Sequence, residues 1–359
     1  MNQKQMENKK LNRLKEVLSI PTHSRSEGLM IEYLERTLTE KGYSYKKDSL
    51  GSIYVTKVTK GNPTHLPCFV AHTDTVHHIN HNLMVVQLEE DDKTILTGID
   101  SETLKPSGIG GDDKCGVFLC LEMLDKLDNV KVALFVSEEI GCIGSHQADT
   151  EFFKNVGYAI QYDSPKGNSM SLTLMGKKLF NEKSDFGGKV SNLIVEHGIT
   201  SWERHPYTDI WPLMEKFNFS CLNLAAGYHR YHTHNEYVVV EEVQNAFELG
   251  LRLHENLGES FYERKEEEVK VNRLSNLFYG DNNKTLILEA EDDYSEEEDD
   301  TFESNEDEES MDELNKDSYK IGEFEDLWDY EDFNGGYSIK NYSESNGESN
   351  NDYCDSYDW

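Results

Sequence analysis

Apolar residues recur at helical spacing and at strand spacing along the first 258 residues of the chain. Leu11, Leu14 and Leu18 lie three or four residues apart, which predicts a helix that Pro21 ends. The same periodicity predicts three more helices, and short β-branched or apolar runs predict strands between them. The predicted helices cover residues 6–20, 26–42, 113 onward and 241–257, and the predicted strands cover residues 52–56, 67–72, 83–88, 94–98, 132–136, 158–162 and 220–225.

The alternation of strands with helices predicts an α/β domain with three layers, in which helices cover both faces of a central sheet. The run at 132–136 is apolar throughout, as the central strands of a parallel sheet are. The runs at 83–88 and 94–98 are joined by acidic residues and predict a hairpin. The expected architecture of the domain has a central mixed sheet.

Charge is concentrated at the carboxyl end of the sequence. The chain of 359 residues has a formal net charge of −34, and residues 281–359 hold 29 Asp and Glu against four Lys, a net of −25. Low hydrophobicity with high charge buries too little apolar surface to offset chain entropy. We expect a folded domain over residues 1–275 and a disordered acidic tail over residues 276–359. An acidic chain also argues against a nucleic-acid partner, which requires a positive surface.

The remaining composition favours a cytoplasmic protein. The six cysteines form no CxxC pair and mostly lie in apolar runs, as reduced core thiols do. Residues 1–16 are polar and lack the apolar core of a signal peptide. No run reaches the roughly 18 apolar residues that a membrane span needs, so no membrane partner is expected.

Five short segments carry the residues with the strongest chemical signal. Each follows an apolar run or a Gly-rich turn, where a parallel sheet presents its ligands. Their side chains are imidazoles and carboxylates, which suit a divalent metal such as zinc. The candidates are His72, Asp74, Asp112, Glu138, Glu139, Asp163 and His232.

Adjacent acids admit two interpretations at this stage. Asp112 and Asp113 precede a helix, so they are either its N-terminal cap or a metal-bridging carboxylate. Glu138 and Glu139 follow an apolar strand, where two like charges are costly unless a cation compensates them. Under the second interpretation one glutamate binds metal and the other is a general base. Two solvated acids in an open loop are the alternative.

Two further patterns concern histidines. His72 and Asp74 lie two residues apart in an extended segment, so the carboxylate can approach the ring and orient it. The segment 227–236 contains His229, His232 and His234, and spacing alone does not choose between them.

In these segments the chain resembles the dinuclear zinc exopeptidases typified by peptidase T and carboxypeptidase G, and it is similar to aminoacylases and succinyl-diaminopimelate desuccinylase. The resemblance covers about residues 8–258 and rests on the segments Ala71–Asp74, Gly111–Gly116, Ser137–Glu139, Asp163 and His232–Val238. It implies a three-layer hydrolase-like domain that holds two zinc ions, with cobalt or manganese as alternatives.

The resemblance also implies a role for each candidate. His72 and Asp163 would bind one zinc, Glu139 and His232 the other, and Asp112 would bridge them. Asp74 would support the His72 ring, and Glu138 would be the general base. His232 fits the family pattern of a histidine four residues before a glutamate better than His234, which is the second choice.

One departure from the family lies between Asp163 and His232. Peptidase T and carboxypeptidase G insert a lid and dimerisation domain there, whereas this chain has 68 intervening residues, too few for a domain of roughly 100 residues. The segments Tyr207–Leu213 and Tyr231–Thr233 are similar to those of lidless aminopeptidases. We therefore expect a compact lidless domain, and a monomeric state is compatible with that expectation.

These patterns predict a hydrolase that cleaves amide bonds of small peptides as an aminopeptidase, tripeptidase or other exopeptidase. An N-acyl-amino-acid deacylase with the same metals is the alternative enzyme. A protein that has lost catalysis and works through its acidic tail is the alternative of another class. The expected partner is a small peptide or an acylated amino acid.

Overall fold

The computed structural model describes residues 3–174, 177–205 and 208–264. The helices are α1 (Gln3–Leu18), α2 (Gly28–Glu40), α3 (Gly111–Lys126), α4 (Ile143–His146), α5 (Thr150–Phe153), α6 (Asp185–Glu196), α7 (Ile210–Phe217) and α8 (Val240–Leu257). The strands are β1 (Tyr45–Lys47), β2 (Ile53–Val58), β3 (Leu66–His72), β4 (Leu83–Glu90), β5 (Lys93–Asp100), β6 (Asn129–Phe135), β7 (Val156–Ser164), β8 (Ser169–Leu174), β9 (Lys177–Lys178), β10 (Ser201–His205), β11 (Cys221–Ala225), β12 (Tyr228–His229) and β13 (Tyr237–Val239).

Nine strands form one central sheet in the order β1, β2, β6, β3, β7, β11, β8 and β10, with β9 paired to β8. The neighbours β6, β3, β7 and β11 run parallel. The pairs of β2 with β6 and of β11 with β8 are antiparallel. The predicted α/β fold with a central mixed sheet is confirmed.

Every residue of β3, β6 and β7 is buried, which requires cover on both faces of the sheet. Helix α3 packs on these three strands and against α1 and α8, and α8 also packs against α6. Helix α7 packs on β7 and β11 and against α4. Burial of nearly all of α3, from Gly111 to Leu124, fixes the start of that helix firmly against the sheet.

A second sheet of four antiparallel strands, in the order β12, β13, β5 and β4, contains the predicted hairpin. Strands β4 and β5 meet at a two-residue turn of Asp91 and Asp92, both with positive φ, as a type I′ hairpin turn requires. Strands β12 and β13 flank residues 230–236. The second sheet therefore supports the turn that carries His232.

The segment between Asp163 and His232 extends the central sheet. Its described residues form β8 to β11 with α6 and α7, which agrees with the expected absence of a lid of ordinary domain size. Of these elements, only the strand at 220–225 was predicted from the sequence.

Several expectations concern residues outside the described ranges. The disordered tail and the domain boundary at residues 275 and 276 lie there, as does Cys354. The five cysteines within the ranges are free and buried, as expected for core thiols. Among the described helices, none has the length and apolar character that crossing a bilayer requires.

Gly250 lets α8 approach the sheet closely. A Cβ atom there would lie 2.0 Å from Tyr162 Oη and 2.5 Å from Met123 Cε. We expect Gly250→Ala to lower the free energy of unfolding by about 1–2 kcal/mol, because overpacking outweighs the gain in helix propensity. At Gly188 in α6 a Cβ atom would have no neighbour within 4 Å, so Gly188→Ala should raise stability by about 0.5–1 kcal/mol. Urea unfolding of both variants measures this, and equal effects would contradict the packing at Gly250.

Candidate metal centre

Parallel strands bring the segments that carry the candidate residues to one edge of the central sheet. Strand β3 ends at His72, β6 ends three residues before Glu138, and β7 contains Asp163 next to its last residue. Strand β11 ends shortly before the turn that carries His232. Because β3, β6, β7 and β11 are parallel, these ends lie together, as ligand-bearing loops do in open α/β sheets.

Two groups of side chains converge at this edge. His72 Nε2 lies 3.2 Å from Asp112 Oδ1 and 3.5 Å from Asp163 Oδ1. His232 Nε2 lies 3.3 Å from Asp112 Oδ2 and 3.2 Å from Glu139 Oε2. In each group the ligand-type atoms lie within 4.8 Å of one another, so each group could hold a metal ion. Asp112 belongs to both groups and directs one oxygen to each.

The turn before α3 gives the two adjacent aspartates different environments. Gly110 has φ +67°, and a Cβ there would lie 2.7 Å from both Lys114 Cε and Thr75 Cγ2, so only glycine fits. Asp113 Oδ1 accepts the Gly116 N–H at 3.0 Å, and its Oδ2 accepts the His72 N–H at 3.2 Å. Asp113 therefore accepts backbone N–H groups from the start of α3 and the end of β3, whereas the Asp112 side chain faces the candidate metal centre.

Asp74 connects the His72 strand to the Glu138–Glu139 loop. Its Oδ1 accepts the Glu138 N–H at 2.9 Å, and its Oδ2 accepts the Glu139 N–H at 3.2 Å and the Ser24 hydroxyl at 2.7 Å. His72 Nδ1 lies 3.4 Å from Asp74 Oδ1 and 3.1 Å from the Asp74 carbonyl oxygen. The shorter carbonyl contact is the better hydrogen bond, so the ring is oriented by both groups of this residue.

The two glutamates lie in different positions. Glu138 belongs to neither group; its Oε2 is 3.8 Å from His72 Nε2, and its Oε1 accepts the Cys142 thiol at 3.4 Å. Burial and the nearby Asp163 charge raise the pKa of Glu138 well above its ordinary value. Burial, followed by the Asp112 charge, raises the pKa of Glu139 to about 7. Glu139 Oε1 is buried and lacks a hydrogen-bond partner among the described residues.

The structure distinguishes the three histidines of residues 227–236. His232 lies in the second group, and its hydrogen bonds to Asp112 and Glu139 raise its pKa to about 10 although burial acts in the opposite direction. His229 Nε2 lies 2.6 Å from Glu242 Oε2 and its ring stacks on Tyr237. His234 is exposed and belongs to neither group.

Sequence reasoning did not assign roles to several buried residues at the site. Gln161 Nε2 donates to Asp163 Oδ2 at 3.2 Å, and its Oε1 accepts the Thr208 hydroxyl at 2.6 Å and the Ile210 N–H at 3.0 Å. Gln161 therefore fixes the orientation of Asp163 from the start of α7. Its position two residues before Asp163 on one strand was the signal that could have found it, since both side chains face the same way.

Asp209 is a further buried acid at this edge. It is fully buried, and neither carboxylate oxygen has a hydrogen-bond partner among the described residues. The neighbouring Ser145 hydroxyl donates to the Cys142 carbonyl oxygen instead. Burial and the Asp163 charge raise the pKa of Asp209 to about 8. The sequence showed Asp209 only as part of the segment Tyr207–Leu213.

The residues fit a pair of divalent cations. The donor atoms are imidazole nitrogens and carboxylate oxygens, which suit zinc and several related ions. The pKa values of the buried Glu138 and Glu139 side chains are raised, and Glu139 Oε1 has no hydrogen-bond partner among the described residues. The described groups of the protein therefore supply too little positive charge and too few hydrogen-bond donors at this site. One cation in each group would supply the missing charge and the missing partner.

Comparisons with known proteins identify the fold. No family model matches the chain, and no curated protein matches its sequence. The structure is similar to aminopeptidase PepT from Bacillus cereus ATCC 10987, with a TM-score of 0.57 and 14% identity over 70% of this chain and 98% of that chain. A tripeptidase from Staphylococcus aureus subsp. aureus Mu50 matches with a TM-score of 0.56 and the same identity and coverage.

An aminopeptidase from the archaeon Desulfurococcus kamchatkensis matches with a TM-score of 0.50 and 14% identity, over 70% of this chain and 99% of that chain. The chain has the fold of these peptidases. At such low identity the likeness establishes the fold alone. The closer resemblance to peptidase T, inferred from motifs, stays a prediction.

Gln161→Leu tests the hydrogen bonds behind Asp163. The change removes the acceptor of the Thr208 hydroxyl and the Ile210 N–H, and leaving buried donors unsatisfied costs about 1–3 kcal/mol. We expect the free energy of unfolding to fall by about 2–3 kcal/mol in urea. Gln147→Leu makes the same chemical change at an exposed position and should stay within about 0.5 kcal/mol of wild type. Similar losses in both variants would contradict the role of Gln161.

Proposed function

We propose that this chain is a metal-dependent exopeptidase that hydrolyses amide bonds of small peptides with two divalent ions, zinc by default. The observation that carries the proposal is Asp112, whose two carboxylate oxygens lie 3.2 Å from His72 Nε2 and 3.3 Å from His232 Nε2. A carboxylate shared between two ligand groups is the arrangement that a two-metal hydrolase needs.

The described residues would divide the ligands between two sites. His72, Asp112 and Asp163 would hold one ion, and Asp112, Glu139 and His232 the other. When bound, such ions polarise the scissile carbonyl and lower the pKa of water to about 7. Asp74 holds the His72 ring and the backbone of the glutamate pair, so it orients ligands of both sites.

Glu138 is the proposed general base. It lies beside the first group without belonging to it, and while its Oε1 accepts the Cys142 thiol, its Oε2 faces the first group and is available for proton transfer. Burial favours its neutral form, which helps the side chain to keep a proton taken from water. Glu138 would then pass that proton to the leaving amine.

The balance of charge favours cleavage from the amino end. With two divalent ions bound, the carboxyl groups at or behind the site would be favoured in their ionised forms, and these eight groups would outnumber the five positive charges of the two ions and the buried Lys114. The eight groups belong to Asp74, Asp112, Asp113, Glu138, Glu139, Asp163, Asp209 and Glu236. A free α-ammonium group is attracted to such a site, and a free α-carboxylate is repelled. Structural neighbours named as aminopeptidases and a tripeptidase support this direction. We propose short peptides with a free amino terminus as substrates.

Digestion of a tripeptide, its amino-acetylated form, a dipeptide and an acetylated amino acid by the zinc-loaded full chain tests the function. We expect release of the amino-terminal residue from the free tripeptide and no cleavage of the acetylated tripeptide. Cleavage of the acetylated amino acid alone would favour the deacylase. A protein that binds about two zinc ions and cleaves none of these substrates would contradict the proposed activity.

Glu138→Gln separates catalysis from metal binding. We expect the variant to keep the metal content of wild type and to lose about 10²–10⁴-fold in kcat, because amide nitrogen cannot take the proton from water. Glu196→Gln makes the same change at an exposed position on α6 and should keep full activity. Wild-type turnover in Glu138→Gln would show that another group is the base.

Metal ions should stabilise the fold. Free zinc at about 100 times its dissociation constant should raise the free energy of unfolding by about 2.7 kcal/mol for each site, since only the folded chain brings the ligands together. Thermal unfolding with zinc and with a chelator measures the shift. Asp112→Asn should abolish most of it, and Asp185→Asn at an exposed position should not. A wild-type midpoint that does not respond to zinc, with no bound metal, would favour a non-catalytic interaction protein.

A further inference from the structure

We propose that Glu236 and His77 are positioning residues that hold the bridging carboxylate of Asp112 in place. The inference rests on the proposed function, because it concerns the placement of a metal ligand. Neither side chain belongs to the two candidate metal-binding groups of the described residues. Both contact the turn at residues 108–112, which leads into α3.

The Glu236 carboxylate accepts two backbone N–H groups of that turn. Its Oε1 accepts the Asp112 N–H at 3.1 Å, and its Oε2 accepts the Gly110 N–H at 2.7 Å. The side chain is fully buried, so water does not compete for these bonds. Because Asp112 can rotate only about its side-chain bonds once its backbone is held, the carboxylate of Glu236 limits where the two Asp112 oxygens can lie.

His77 completes the arrangement from a third segment. Its Nε2 lies 2.7 Å from Glu236 Oε2, the same oxygen that accepts the Gly110 N–H. The His77 ring also packs on Gly108, where a Cβ would lie 2.1 Å from the ring. His77 thus fixes the position of the Glu236 carboxylate and contacts the start of the same turn.

Glu236 joins three segments that carry metal ligands. It lies four residues after His232, and its own N–H donates to the Thr233 carbonyl oxygen at 3.2 Å. Asp112 lies in the second segment, and His77 follows His72 and Asp74 in the third. A shift of Glu236 would therefore change the distance between Asp112 and both imidazoles. We expect its loss to weaken both metal sites together.

The neighbouring pair of His229 and Glu242 provides a matched control. Its Nε2 to Oε2 distance is 2.6 Å, close to the 2.7 Å of the His77–Glu236 pair. Glu242 Oε2 faces His229 and its Oε1 faces Lys93, so this carboxylate does not hold the turn before α3. Glu242→Gln therefore measures the effect of losing a His–Glu pair that does not position Asp112.

The test measures zinc affinity at both sites by chelator competition, and amide hydrogen exchange of residues 110–112 in the metal-free protein. Glu236→Gln replaces one acceptor oxygen by an N–H₂ group that faces a backbone donor. We expect a loss of affinity of about 10–100-fold at both sites and faster exchange of the turn. His77→Ala should show a smaller loss, and His77→Gln, which can still donate to Glu236, should recover most of it. Glu242→Gln should bind zinc within about twofold of wild type.

Wild-type affinity and exchange in both Glu236→Gln and His77→Ala would overturn the inference and leave the proposed function standing. Equal losses in Glu236→Gln and Glu242→Gln would also overturn it, since the effect would then be general. If wild type binds no metal, the proposed function fails. Amide hydrogen exchange of residues 110–112 in the metal-free protein is then the only test of the inference. Faster exchange in Glu236→Gln would support the proposal that Glu236 holds the turn, and unchanged exchange would refute it.

Discussion

Mutual repulsion between buried carboxylates governs the chemistry of this site. Asp112, Glu138, Asp163 and Asp209 lie at one edge of the central sheet with little or no exposure to water. Burial favours their neutral forms and neighbouring carboxylates add to that effect, except at Asp112, where the hydrogen bonds from His232 and His72 outweigh burial and lower the pKa. Such a cluster is stable only with protons or cations. The imidazoles of His72 and His232 lie among these carboxylates and complete a set of nitrogen and oxygen ligands that suits the proposed divalent ions.

Two carboxylates outside the candidate ligand groups hold the segments together. Asp74 accepts backbone N–H groups of Glu138 and Glu139, and Glu236 accepts those of Gly110 and Asp112. Each carboxylate therefore ties its own segment to a neighbouring one. These bonds fix the positions of candidate ligands from distant parts of the chain, which would lower the free energy cost of assembling the proposed metal site.

The parts of the fold predicted from the sequence are those whose local pattern is strong. Strands β3, β6 and β7 are apolar along most of their length because both faces are covered, and α8 shows a regular apolar stripe. Among the elements that were missed, β10 is short and mostly polar, whereas α6 carries the apolar residues Phe186, Val190 and Ile194 at helical spacing after its Ser184 N-cap and could have been predicted. Their conformation depends on pairing with β8 and on packing against α8, which are contacts between distant residues.

Local sequence patterns were enough to place the candidate imidazole and carboxylate side chains, in their order, at strand ends and turns, because strand ends and turn residues are encoded locally. The family resemblance already favoured Asp112 and His232, and the structure adds their surroundings: Asp112 faces both imidazoles, whereas Asp113 accepts backbone N–H groups, and His232 lies in a candidate metal-binding group that excludes His229 and His234. These surroundings depend on side chains that lie 40 to 120 residues apart in the chain, such as His72 and His232 on either side of Asp112. The contacts of Gln161 with Thr208 and Ile210, and those of Glu236 with Gly110 and Asp112, were recognised only in the structure for the same reason: the partners are close in space and far apart in sequence. The burial of Asp209 likewise depends on the packing of distant segments.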